Sequence, residues 1–100
     1  MKTDDMENAG IVEIKRLCAQ YGISTMELSM HIQVTWTRIY EIFSGKRRIT
    51  ASTDLRLCHF FKLESGYFAK LQTEYDLAIE ARNLENKLKK IKTVDEIIHK

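Results

Sequence analysis

ISTMELSMHIQVTWTRIYEIFSGKRRIT, residues 23–50, is the stretch that decides the fold. Ser24 followed three residues on by Glu27 is a capping box, in which hydroxyl and carboxylate each satisfy a backbone N–H at a helix start. The helix it opens carries Leu28 and Ile32 on one face, with small Ser29 beside them. A break falls around Gln33-Val34. Thr35 is a second N-cap, and Ile39, Ile42 and Phe43 then recur at helical spacing up to Ser44-Gly45. Two short helices joined by a three-residue turn make a helix-turn-helix. Such a unit needs apolar side chains where its helices meet, and Leu28, Ile32, Val34, Ile39 and Ile42 supply them. It needs a small residue at the crossing, and Ser29 supplies that.

Working outward, IVEIKRLCAQY lies between Gly10 and Gly22 and places Ile11, Ile14, Leu17, Cys18 and Tyr21 on one helical face, with Gly22 as the C-terminal cap. Downstream, Lys46-Arg47-Arg48 is a basic loop. Thr50 caps a helix over 51–61 carrying Leu55, Leu57, Cys58, Phe60 and Phe61. Lys62 to Gly66 is a connector with Ser65 as a cap. A longer helix runs from Tyr67 through Phe68, Leu71, Tyr75, Ala78 and Ile79. Beyond Arg82 the composition shifts to Asn, Glu and Lys, and Leu84, Leu88, Ile91, Ile97 and Ile98 keep a thin helical stripe. There is no alternating strand pattern, and no proline interrupts a helix. The expected fold is all-α: a five-helix domain over 11–81, a flexible arm over 1–10, and a helical extension or tail over 82–100.

Composition excludes several classes. At 100 residues and 44% hydrophobic content, the chain suits one domain with a real core and is too apolar for intrinsic disorder. No apolar run approaches the roughly 18 residues of a membrane span. MKTDDMENAG at the start is acidic and polar, with no signal-peptide pattern, so a cytoplasmic chain is expected. Cys18 and Cys58 fall at core spacing and are expected to be reduced, buried thiols. Cys58-His59 are adjacent rather than at a metal-ligand spacing, and His31 and His99 have no partner signal. Nothing organises a Ser/His/Asp site. The expectation is a non-enzyme without cofactor or metal.

The second helix of the central motif leaves Trp36, Thr37, Arg38, Tyr40 and Glu41 off its core face. A helix fits the major groove of B-DNA, and its first turn reaches base edges. Thr25 and Thr35 sit at helix starts, where N–H groups and a hydroxyl meet phosphate. Arg38 can bond guanine in two places, Glu41 can accept from cytosine, and Trp36 suits a thymine methyl or a sugar. Lys46, Arg47 and Arg48 suit phosphates. The net charge of +2 divides unevenly: residues 38–62 hold six basic and two acidic groups, leaving −2 elsewhere. A basic face with an acidic remainder is the footprint of a small DNA reader.

These residues resemble the helix-turn-helix of the Xre/Cro-repressor family. With Gly45-Lys46-Arg47-Arg48-Ile49-Thr50, Leu55-Arg56-Leu57 and Leu71-Gln72-Thr73-Glu74-Tyr75-Asp76-Leu77, the chain is more specifically similar to the HigA/VapI-type antitoxins over residues 11 to about 82. The resemblance implies a five-helix, lambda-repressor-like domain that represses its own operon, binds a palindromic operator in double-stranded DNA as a homodimer, and neutralises a ribonuclease toxin as the antitoxin of a type II pair. It also implies that part of the set Phe60, Phe61, Tyr67 and Phe68 lies between subunits. Two positions depart from the pattern: Gln33 and Lys62 stand at turns where the family uses glycine, and a left-handed backbone there costs on the order of 1 kcal/mol. Trp36 also replaces a usual polar residue.

Other readings stand beside this one. The chain is otherwise a stand-alone repressor without a toxin, or a protein-interaction module that has lost DNA binding and uses Trp36 as its anchor. Arg38 and Glu41 can pair across one turn, worth about 0.2–0.5 kcal/mol. The tail packs back, pairs with another subunit, orders on a toxin, or adds a DNA contact through the four lysines between Lys87 and Lys92.

Overall fold

A computed structural model of the chain describes residues 7–98. Among them the elements are all helices: α1 (Ala9–Tyr21), α2 (Thr25–Ile32), α3 (Trp36–Phe43), α4 (Ala51–Phe61), α5 (Tyr67–Asn83), α6 (Glu85–Lys89) and α7 (Val94–Ile98). The arm expected over 1–10 is cut short by Asn8, whose side chain accepts from the Gly10 and Ile11 N–H groups and starts α1 at Ala9. Residues 1–6 lie outside the described residues, as does His99.

The core is built from one face of each of the first five helices. Ile11, Ile14, Leu17 and Cys18 of α1 meet Leu28 and Ile32 of α2, Ile39 and Ile42 of α3, Leu57 and Cys58 of α4, and Phe68 of α5. Ile49 joins them from the loop before α4. Gly10 lies where α1 crosses α5 closely; a Cβ there would stand 3.2 Å from the Phe68 carbonyl oxygen. Tyr21 and Leu55, read as core-facing, are instead 58% and 54% exposed. Each sits at the edge of its stripe, and Tyr21 stacks on Phe61 at 6.1 Å.

Three helices end in one way. At Gly22, Gln33 and Lys62 the backbone turns left-handed, with φ of 65°, 59° and 58°. In each case the next amide reaches back five residues: Ile23 to Cys18, Val34 to Ser29, Leu63 to Cys58. This is the Schellman arrangement, and Ile23, Val34 and Leu63 each then pack on the core. The left-handed turns suspected at Gln33 and Lys62 are therefore present without glycine.

The start of α5 differs from expectation. Gly66, not Ser65, occupies the cap position and offers no side chain. The acceptor comes from α4. Asp54, only 2% exposed, takes the Gly66 N–H on one oxygen at 2.7 Å and the Phe68 and Ala69 N–H groups on the other at 2.9 and 2.8 Å. A carboxylate inside the fold thus caps a helix in sequence-distant company, favoured by the positive end of the helix dipole.

α5 continues through Arg82 to Asn83, past the division drawn at 81. α6 and α7 bury none of their residues, and Leu88, Ile91, Val94, Ile97 and Ile98 stay exposed. No helix among the described residues is long and apolar enough to cross a membrane.

Candidate nucleic-acid interface

α2 and α3 form the central pair, joined by Gln33, Val34 and Thr35. Ser29 is buried, and its hydroxyl donates to the Met26 carbonyl at 2.7 Å. The capping box closes both ways: the Glu27 N–H donates to Ser24 Oγ and the Ser24 N–H to Glu27 Oε1. That bonding pulls the Glu27 carboxyl below its usual range. It leaves the N–H groups of Thr25 and Met26 outside any helical ladder. At α3, the Arg38 N–H donates to Thr35 Oγ1 at 3.2 Å, leaving the first-turn amides of Trp36 and Thr37 facing outward.

α3 points Ile39 and Ile42 inward, 2% and 1% exposed, so Trp36, Thr37, Arg38 and Tyr40 lie on the outside. Trp36 and Tyr40, one turn apart, stack with centroids 5.5 Å apart and planes at 19°. Thr25, Thr35 and Lys46 sit around the same helix pair.

The remaining charged residues are engaged within the chain. Glu41 does not pair with Arg38; its Oε1 accepts from Arg47 Nε at 2.9 Å. The same turn of backbone explains this, because the Lys46 and Arg47 amides both fold back onto the Glu41 carbonyl. Arg48 lays its guanidinium across both oxygens of Asp76 on α5. Arg48 holds the Asp76 carboxyl below its usual range, against the opposing effect of burial. Gln72, 4% exposed, completes the link: its Oε1 accepts the Ile49 N–H at 3.2 Å, and its Nε2 donates to Asp76 at 3.0 Å. The basic loop is therefore tied to α5 by main chain and side chain. Arg56, counted in the basic segment, donates to the Ile32 and Gln33 carbonyls at 2.9 and 3.1 Å and closes the end of α2.

Of the ten residues singled out, the structure gathers Thr25, Thr35, Trp36, Thr37, Arg38, Tyr40 and Lys46 around α2 and α3 with outward atoms available. It commits Glu41, Arg47 and Arg48 to ion pairs. The roles of Gln72 and Asp76 were missed, although their four-residue spacing on one helix face is readable. Elsewhere, Cys18 and Cys58 are free and buried, and burial pushes both thiols up. Among the described residues no three His, Cys, Asp or Glu side chains gather as metal ligands.

No family model matches the chain. Virulence-associated protein I of Dichelobacter nodosus is 34% identical over 65 residues, which is 65% of this chain and 60% of that protein. A solved addiction module antidote protein of a HigA family from Coxiella burnetii superposes with a TM-score of 0.77 at 29% identity, covering 87% of this chain and 95% of that one. Antitoxin HigA of Pseudomonas aeruginosa, solved with the higBA promoter, gives a TM-score of 0.79 at 21% identity, covering 88% and 97%. The fold is thus shared with HigA antitoxins, and the sequence similarity extends to a HigA-family protein and a VapI protein.

Proposed function

We propose, from that similarity as premise, that the chain is a sequence-specific DNA-binding repressor and the antitoxin of a type II toxin–antitoxin pair. α1 to α5 form the DNA-binding unit, and the residues after α5 form an extension. Two copies bind a palindromic operator, with recognition helices about 34 Å apart, one turn of DNA. The chain represses its own operon and neutralises a ribonuclease toxin. The observation that carries the DNA half is the outward face of α3. It has free first-turn amides, hydroxyls at Thr35 and Thr37, and an Arg38 side chain with no ion pair among the described residues. Amides at a helix start favour phosphate, and a first-turn arginine reads guanine. The antitoxin half is supported by the names of the similar proteins.

A gel shift with the DNA upstream of the gene tests it. Affinity should fall steeply as salt rises, and Arg38→Ala should erase the difference between operator and random DNA. Unchanged sequence preference in Arg38→Ala removes Arg38 from the readout. Failure to shift any genomic DNA, with a protein co-purifying instead, favours the interaction-module reading. The exposed apolar residues of α6 and α7 give that reading its support.

A further inference from the structure

We propose that Trp36 and Tyr40 are a pre-formed reader of thymine, so that the bound DNA carries T·A pairs opposite the first turns of α3. The inference rests on the DNA reading above and names the base it selects.

Trp36 is 45% and Tyr40 55% exposed, on the flank of α3 beside the face that buries Ile39 and Ile42. They stack at 5.5 Å and 19° with no partner present. The rings are offset and each shields part of one face of the other, so the pair presents its edges together with one outer face of each ring. That shape suits the floor of a groove rather than insertion between base steps. In the major groove the thymine C5-methyl is the apolar group on the base edges, and it lies beside the O4 acceptor. Trp36 matches both, with an apolar ring and an Nε1–H donor that forms no hydrogen bond among the described residues. Cytosine presents an N4 donor at the same place and lacks the methyl, so it opposes the indole N–H. Glu41, the acceptor on α3 that would favour cytosine, is held by Arg47. The ridge also lies at the edge of the basic 38–62 segment, which suits a polyanion better than an apolar protein surface.

The full-length chain is first used to select duplexes from a randomised pool. The enriched duplex is resynthesised with 2′-deoxyuridine in place of each thymine, which removes only the methyl. Affinity should drop about fourfold for each methyl contacted, the factor given by one buried carbon group. Replacing the same T·A pair by 5-methylcytosine·guanine should fail to restore it, because the methyl returns without the acceptor. Trp36→Ala, at an exposed position, should lose the thymine preference and bind both duplexes equally. An effect of deoxyuridine at no position overturns the proposal, as does full deoxyuridine sensitivity in Trp36→Ala. A pool that enriches no sequence overturns the DNA reading itself.

Discussion

Replacing Asp54 by asparagine changes one atom of the side chain and should cost this fold heavily. The carboxylate accepts three amides at the start of α5, from Gly66, Phe68 and Ala69, at 2.7–2.9 Å. Asparagine can keep one oxygen toward Phe68 and Ala69. Its amide nitrogen then faces the Gly66 N–H, donor against donor. A buried donor left unmet costs about 1–3 kcal/mol. Losing the negative charge at the helix start costs about 0.3–2 kcal/mol more. The total, about 1–5 kcal/mol, corresponds to a lowering of Tm on the order of 5–40 °C for a domain this size. Urea unfolding followed by circular dichroism measures it, with Asp76→Asn as the control. Asp76 undergoes the same chemical change in a partly exposed ion pair with Arg48, where about 1 kcal/mol is expected. If Asp54→Asn loses no more than that control, Asp54 is not what holds the start of α5.

Asp76→Asn should also release Arg48 toward DNA phosphate, steepening the slope of log affinity against log salt by about 0.9 per subunit; an unchanged slope would mean that Arg48 stays out of phosphate reach even when freed. Gln33→Gly and Lys62→Gly should each stabilise the chain by up to about 1 kcal/mol, because they remove left-handed strain without touching the following apolar contact. Hydrogen bonds from Arg16 and Tyr67 lower the Glu13 carboxyl from 4.5 to about 2. The stability this contributes is complete above pH 4.5 and is lost as pH falls toward 2. Glu13→Gln should therefore flatten the pH dependence of the unfolding midpoint within that window, and an equal slope in both proteins would show that the bonds to Glu13 do not form in solution.

What could be read from the chain was local. The capping box at Ser24 and Glu27, the N-caps at Thr35 and Thr50, and the apolar spacing of Ile39 and Ile42 are decided within one or two helical turns, and the structure has them. The left-handed turns at Gln33 and Lys62 were legible from the alignment of the chain with a known pattern, not from the residue types, which disfavour them. The misses share a cause: the partner is distant in sequence. Asp54 meets α5 12 to 15 residues on, Arg56 meets carbonyls 23 and 24 residues back, and Arg48 meets Asp76 28 residues away. A charged residue read without its partner shows only its sign, so the ion pair of Arg48 and the capping role of Asp54 were not legible. For the candidate interface, the outward positions on α3 followed from helical period alone, whereas which charges remain available depended on the third dimension.

The repeated helix ending has a consequence for how this sequence can vary. Since Gln33 and Lys62 hold the same turn as Gly22, the instruction to stop is not written at the turning residue. It is written one position later, in Ile23, Val34 and Leu63, whose seats on the core reward the reversal of the chain. Sequence drift at Gln33 and Lys62 among glycine and unbranched polar residues therefore costs on the order of 1 kcal/mol, whereas β-branched residues and proline are disfavoured at this positive φ. Drift at the three apolar positions that follow would lengthen or fray a helix and move the element after it. The angle between α2 and α3 is thus guarded by Val34, a residue that touches no DNA in the proposed arrangement.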